Sequence, residues 1–196
     1  MLAHESRAAD LPQPPPRRDE GYATFCVGKW HLCPMEDASA VGPFDQWPLG
    51  RGFERYYGFL QGETDQFAPE LTHDNHPVDP PATPADGYHL TEDLVDRVIG
   101  FIRDTRSVRP DRPFFAYVAP GAVHAPHQAP AEYLALQRGA FDEGWDVMRQ
   151  RWYERQLELG VIPPGTQLAP RNPGVAAWDE LSAAERQVAA RLQEAF

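Results

Sequence analysis

The sequence predicts an α/β fold built on a mainly parallel sheet flanked by helices. Two short apolar segments, residues 22–28 and 113–120, have the aromatic and β-branched composition of buried strands. A segment with helical periodicity lies between them, and a histidine-bearing loop follows each strand. This order is typical of parallel sheets, in which ligands bind beyond the carboxyl ends of the strands.

The first predicted strand, YATFCVG, begins after Gly21 and ends at Gly28. This end places Lys29, Trp30 and His31 on the loop that leaves the carboxyl end of the strand. Because ligands bind at that edge of open α/β sheets, polar side chains in this loop are candidates for a binding site.

The next stretch, residues 34–88, shows no sustained strand or helix period. A long irregular stretch inside a compact domain is usually functional, disordered or wrongly parsed. Its aromatic content argues against disorder, because such a composition can be buried. The aromatic residues are Phe44, Trp47, Phe53, Tyr56, Tyr57, Phe59 and Phe67.

A helix is predicted to begin at Thr91, whose side chain can cap it, and to end before Arg109-Pro110. Its apolar stripe consists of Leu94, Val95, Val98, Ile99 and Ile102. The second predicted strand, PFFAYVAP, follows, and its exit loop contains His124 and His127.

Three further helices are predicted, over residues 130–137, over residues 141–159, and from the capping box of Ser182 and Glu185 onward. Residues 1–20 are polar and proline-rich, which predicts an extended or disordered leader.

The formal net charge of -11 argues against a general nucleic-acid binder, which needs a basic surface. No apolar run approaches the roughly 20 residues that cross a bilayer, and the N-terminus lacks the apolar core of a secretory signal. We therefore expect no membrane partner and, by default, a cytoplasmic location. Two cysteines, Cys26 and Cys33, cannot form a disulfide framework, and their spacing does not indicate a zinc site.

The polar residues after the two strands form two pairs, Lys29 with His31 and His124 with His127. A lysine and several histidines at one sheet edge suit an anionic, oxygen-rich group, because the ammonium is a point charge and imidazole donates protons near neutral pH. Each pair alone is also typical of ordinary loop residues, and spacing does not show that the two loops meet.

The segment GYATFCVGKWHL, from Gly21 to Leu32, resembles the second signature of the type I sulfatase family, Gly-Tyr-x-Thr-x-x-x-Gly-Lys-Trp-His-Leu. Many sulfatases continue with Gly, where this sequence has Cys33. The segments LGRGFERYYGFLQGETDQF, DNHPVDPP, GYHLTEDLVDRVIGFI and APGAVHAPHQAP also resemble arylsulfatases. The likeness covers residues 21–196, which are interpreted as a partial sulfatase catalytic domain.

The resemblance implies the alkaline-phosphatase-like α/β fold and hydrolysis of sulfate monoesters. Sulfatases use a cysteine oxidised to formylglycine, whose hydrate attacks the sulfur beside a bound calcium ion. By this resemblance Lys29 would contact the sulfate and the leaving oxygen. His31 would hydrogen-bond the formylglycine hydroxyl and help to expel sulfate. His124 would bind sulfate and protonate the leaving alcohol, and His127, which has no fixed role in the family, is a candidate for lining the substrate pocket.

Several parts of a complete sulfatase site have no counterpart in the sequence. Neither Cys26 nor Cys33 lies in the nucleophile signature Cys-x-Pro-x-Arg. The early Asp-Asp metal pair is absent, and the late Asp-Asn-Gly motif and second lysine are expected beyond Phe196, so no residue is assigned as a metal ligand. Asp74-Asn75, which precedes the histidine loop, is assigned to a turn or to a substrate loop. The chain is interpreted as an internal piece of a sulfatase that is inactive alone.

Three alternatives stay open at this point. The first is a phosphate or phosphonate monoester hydrolase of the same fold, and the second is a non-catalytic anion-binding remnant. The third, a zinc hydrolase built from His31, His76, His124 and His127, lacks a ligand pair on one helix face. Exposed strand edges predict poor solubility of the isolated chain, and neither the natural ester nor the oligomeric state follows from the sequence.

Overall fold

A computed structural model of the chain describes residues 20–196, which form two compact units. The first unit ends at Gln128, and the second spans Ala129–Phe196. All but the last residue of the predicted leader lies outside the described residues.

The first unit is built on a five-stranded sheet with the order β4-β3-β2-β1-β5. Strand β1 (Ala23–Lys29) lies between β2 (Arg55–Phe59) and β5 (Phe114–Ala119) and pairs in parallel with both. Strands β3 (Leu71–His73) and β4 (His76–Val78) extend the sheet antiparallel beyond β2. The predicted mainly parallel sheet is confirmed.

Strand β1 is buried on both faces, as expected for the centre of a parallel sheet. Alternate side chains point to opposite faces of a strand, so β1 contributes to two apolar clusters. Phe25 and Val27 pack with Leu94 and Phe101 of the helix α1 (Leu90–Val108) on one face. On the other face Cys26 joins a mostly aromatic cluster whose members also include Trp30, Cys33, Trp47, Phe53, Tyr56 and Leu60.

Helix α1 begins one residue before the predicted cap at Thr91, and that assignment was wrong. The cap is His89, which has extended backbone angles and whose ring Nδ1 accepts a hydrogen bond from the Thr91 amide at 3.3 Å. The buried face of the helix also differs, because Val95 is exposed. The buried residues are Leu90, Leu94, Val98 and Phe101.

The stretch 34–88 contains three strands, β2, β3 and β4, that its sequence pattern did not predict. Each is three to five residues long, which is too short to establish a period. The prediction that the aromatic residues of this stretch can be buried is confirmed for Trp47, Phe53 and Tyr56. Asp74 forms the predicted turn between β3 and β4 with φ +55°, and its carboxylate accepts a hydrogen bond from the Tyr56 amide.

The two edges of the sheet are built differently. Strand β4 has three residues, is largely exposed and contains Pro77, which cannot donate to a further strand. Strand β5 has six apolar residues, and it is the outermost strand on its side among residues 20–196. Phe114, Tyr117 and Val118 are each 40% to 44% exposed. A long apolar edge strand favours pairing between chains, which supports the expectation of poor solubility.

The second unit contains the helices α2 (Ala131–Leu136), α3 (Gly144–Glu158) and α4 (Ala183–Ala195). All three were predicted, and α3 begins three residues later than expected because Gly144 has φ +83°. The capping box of α4 is confirmed, since the Ser182 hydroxyl accepts a hydrogen bond from the amide nitrogen three residues later. Within residues 20–196, no helix combines the length and the apolar composition required to cross a bilayer.

Candidate active site

The three parallel strands end at the same edge of the sheet. Lys29 is the last residue of β1 and pairs with Phe59, the last residue of β2. Ala119 ends β5 and pairs with Gly28. The ladder continues past these ends, because the Trp30 amide donates to the Phe59 carbonyl at 3.0 Å. Strand β1 therefore ends one residue later than predicted, and Lys29 is its last residue rather than the first residue of the loop.

Lys29 and His31 flank a firmly held tryptophan. The Trp30 side chain is buried, and its Nε1 donates to the Gln46 carbonyl at 2.7 Å. The His31 amide donates to the Leu60 carbonyl at 3.0 Å. The backbone on both sides of Trp30 is thus fixed, which determines where Lys29 and His31 leave the sheet. Lys29 is partly buried and is the only lysine of the chain.

The His31 ring lies against Gly62 in the loop that follows β2, residues 60–70 (the β2 loop). A Cβ atom at Gly62 would lie 2.8 Å from His31 Cε1, so only glycine leaves room for the ring. His31 itself has φ +49°, a left-handed conformation that is uncommon for residues other than glycine. The ring is exposed at the sheet edge.

Substituting Gly62 by alanine is expected to displace the His31 ring while the fold is retained. The backbone of Gly62 is outside the left-handed region, and the three atoms nearest to the added methyl all belong to the movable His31 ring. We expect a changed Cε1–H NMR signal for His31 and a loss of stability below about 1 kcal/mol. Gly100→Ala on α1 is the control, because a Cβ there meets open space. An unchanged His31 signal in Gly62→Ala would contradict the contact.

His124 lies in the loop that follows β5, residues 120–128 (the β5 loop). Its Nδ1 is 2.8 Å from the Ala125 carbonyl oxygen and 3.5 Å from Glu63 Oε2. A carbonyl only accepts, so Nδ1 carries a proton, and Nε2 is the nitrogen that can exchange a proton with a ligand. The His124 and Glu63 side chains are 52% and 62% exposed, so the contact between them adds little stability.

The two histidine loops meet on one short segment of the β2 loop. His31 contacts Gly62, and His124 contacts Glu63, the next residue. Sequence patterns alone did not identify Gly62 or Glu63, although both lie in a segment that resembles arylsulfatases. His127 is partly buried in the same β5 loop. The chemical roles assigned to Lys29, His31, His124 and His127 stay predictions.

The described residues do not assemble a metal site. Among residues 20–196, no three histidine, cysteine, aspartate or glutamate side chains lie close enough together to hold a metal ion. Neither the calcium ion that the sulfatase resemblance implies nor the zinc alternative, whose His76 lies on β4, therefore has a cluster of three such side chains among these residues. Burial raises the pKa of the Cys26 and Cys33 thiols, which suits packing rather than nucleophilic attack.

Comparisons with known proteins agree on one family. The family model described as Sulfatase matches residues 17–193. An uncharacterized sulfatase of Schizosaccharomyces pombe is 31% identical over 97% of this chain, and the arylsulfatase of Klebsiella aerogenes is 28% identical over 91%. The matched regions make up 34% and 38% of those two proteins, so this chain spans little more than a third of their length.

Similarity extends to a mammalian relative and to solved structures. Arylsulfatase J of Mus musculus is 34% identical over 66% of this chain, and the match covers 21% of that protein. The crystal structure of Ps i-CgsB matches with a TM-score of 0.49 and 27% sequence identity. The matched region covers 61% of this chain and 28% of the Ps i-CgsB chain. Ps i-CgsB has also been solved in complex with k-i-k-neocarrahexaose.

Proposed function

The chain belongs to the sulfatase family, and from this premise we propose that it forms one wall of the active site of a sulfuric ester hydrolase acting on sulfate monoesters. Family membership and the mainly parallel sheet with its helices identify the fold as part of the alkaline-phosphatase-like fold. Arylsulfatases among the relatives support sulfate as the group recognised.

The observation that carries the proposal is the meeting of two histidine loops at the edge where Lys29 ends β1. His31 and His124 contact consecutive residues of the β2 loop, and the carboxyl ends of β1, β2 and β5 are in register. An ammonium group and two imidazoles at one edge can surround a tetrahedral oxyanion. Donors held in place before the reaction stabilise the charge that develops on such oxygens.

Each side chain has a distinct proposed task. The Lys29 ammonium binds a sulfate oxygen and the oxygen of the leaving group as negative charge develops there. His31 donates a hydrogen bond at the face where the nucleophile would attack, and His124 donates a proton to the leaving alcohol from Nε2. His127 lines the pocket. The formylglycine and calcium of complete sulfatases supply the nucleophile and its activation, and neither has a matching residue set in residues 20–196.

A titration with sulfate tests whether these groups form one site. Reductive ¹³C-methylation labels Lys29 and the α-amino group alone, because the chain has no other lysine. Adding sulfate or 4-nitrocatechol sulfate is expected to shift the Lys29, His31 and His124 signals with a single dissociation constant, on the order of millimolar. His76, on the far strand β4, is the internal control and should not respond.

The variant Lys29→Met should remove saturable binding, because it keeps the stem of the side chain and deletes the charge. Separate dissociation constants for Lys29 and His124, or an equal response of His76, would show that no common site exists. Titration with phosphate and methylphosphonate tests the alternative reaction class. Phosphate binding at least tenfold tighter than sulfate binding would favour the phosphate or phosphonate hydrolase.

A further inference from the structure

One glutamine side chain joins the two loops of the candidate site. Gln128, at the end of the β5 loop, accepts a hydrogen bond on Oε1 from the Gln66 amide at 2.8 Å. Its Nε2 donates to Asp65 Oδ2 at 2.7 Å. Both partners lie in the β2 loop, more than 60 residues away in sequence. We call this arrangement of Gln128, Asp65 and the Gln66 backbone the amide clamp.

The Asp65 half of the clamp is also held by hydrogen bonds within the β2 loop itself. Its Oδ1 accepts hydrogen bonds from the Phe67 and Ala68 amides, each at 2.8 Å. The hydrogen bond from Gln128 and these two amides lower the pKa of the Asp65 carboxyl, so the group is a carboxylate at neutral pH. Because its Oδ1 already accepts two hydrogen bonds, the Asp65 carboxylate presents Oδ2 to the side-chain amide of Gln128 in one orientation.

The Gln66 half is fixed even more firmly. Gln66 is only 2% exposed, and its carbonyl accepts from the Leu90 amide at the start of α1 at 2.8 Å. The β5 loop packs closely on it, since a Cβ at Gly121 would lie 3.1 Å from Gln66 Nε2 and 3.0 Å from the Phe59 ring. The clamp therefore connects the β5 loop to a buried residue that is itself hydrogen-bonded to the first residue of α1.

We propose that Gln128 is a positioning residue, which holds His124 at the sulfate site by fixing the β5 loop on the β2 loop. This inference rests on the proposed function of the site. The His124–Glu63 contact between the same loops is more than half exposed and contributes little, so the partly buried hydrogen bonds of the clamp, one of them charge-assisted, set the position of the loop. Gln128 does not itself act on the substrate.

A reversal of hydrogen-bond polarity tests the clamp. In Gln128→Glu, Oε1 still accepts from the Gln66 amide, but Oε2 is set against Asp65 Oδ2, and two carboxylates repel. Adding Asp65→Asn places an amide donor opposite the new carboxylate, and the Asn oxygen can still accept from the Phe67 and Ala68 amides. We expect the single variant to disrupt the clamp and the double variant to restore it.

The matched control is Gln61→Glu, in the same β2 loop. Gln61 Nε2 donates to Glu70 Oε2 at 2.7 Å, the same kind of bond at the same length, but this pair does not reach the β5 loop. Each variant is compared by the His124 ring signal, by amide hydrogen exchange of residues 121–128, and by the dissociation constant for sulfate. A global stability change without a selective change at His124 would indicate a merely structural role.

Gln128→Glu is expected to shift the His124 signal, to speed exchange in the β5 loop, and to weaken sulfate binding about tenfold, while the His31 signal is kept. The double variant should restore all three readouts to their original values, and Gln61→Glu should change none.

If Gln128→Glu does not fold, Gln128→Ala is measured in its place, because it removes both hydrogen bonds without adding charge. An unchanged His124 signal, or a double variant that fails to restore it, overturns the inference. Absence of sulfate binding in the unaltered chain, with the His124 effects and their rescue intact, would reject the proposed function and leave the clamp standing.

Discussion

The purified chain is expected to bind aryl sulfates without hydrolysing them. Turnover of 4-nitrocatechol sulfate should fall below that of a complete arylsulfatase by at least about 10⁴-fold, the typical cost of removing the nucleophile from a concerted site. The reason is chemical. Neither cysteine lies in the nucleophile signature, and both thiols are buried with a raised pKa. Lys29, His31 and His124 can stabilise charge and transfer protons, but they cannot form the covalent intermediate.

The measurement compares release of 4-nitrocatechol by this chain and by the Klebsiella aerogenes arylsulfatase in the same buffer. The variant Lys29→Met identifies any turnover that belongs to the proposed site rather than to a contaminant. Turnover by the purified chain that disappears in Lys29→Met would contradict the expectation and would require a nucleophile that the sequence does not reveal.

Substituting Gly28 by alanine is expected to be among the most damaging single changes at the site. Gly28 has φ +108°, and a Cβ atom there would lie 2.0 Å from the Ala119 carbonyl oxygen. The clash involves backbone on β5, which cannot rotate away as a flexible side chain can. We expect a loss of at least about 3 kcal/mol of stability, because β1 and β5 must separate next to Lys29.

The control for Gly28→Ala is Gly87→Ala. Gly87 has φ +85°, but a Cβ there meets nothing within 4 Å, so it isolates the cost of a left-handed alanine, about 1–2 kcal/mol. Chemical denaturation measures both variants, and the difference between them gives the cost of the steric contact. Equal losses of stability would show that the strands tolerate the methyl group and that close approach at Gly28 is unimportant.

Sequence patterns predicted the strands and helices whose signals are local. The aromatic and β-branched run before Lys29 indicated β1, the apolar run between two prolines indicated β5, and the Ser182 capping box indicated α4. These elements are long enough, or have strong enough signals at their ends, to be predicted from local sequence alone. The presence of polar residues at the carboxyl edge of the sheet followed from the same pattern.

The parts that sequence patterns missed depend on contacts between distant residues. Strand β2 is short and contains Gly58, so only its pairing with β1 and β3 makes it a strand. His89 caps α1 through a ring nitrogen, a less common choice than the hydroxyl of Thr91. The meeting of the histidine loops on Gly62 could not be predicted, because it depends on the register of three strands and on a glycine that admits a ring.

The position of β1 between two distant partners has a consequence for biosynthesis. Strand β2 pairs with residues that precede it by about 30 positions, and β5 with residues that precede it by about 90. Such nonlocal pairing requires large loops to close before contacts between the strands compensate for the lost chain entropy. Sheets of this kind therefore form late in folding. At usual translation rates, one flank of the nascent β1 stays uncovered for roughly 5–20 seconds until β5 has been made. During that interval the emerging chain is open to chaperone binding and to mispairing with its neighbours on the same messenger RNA.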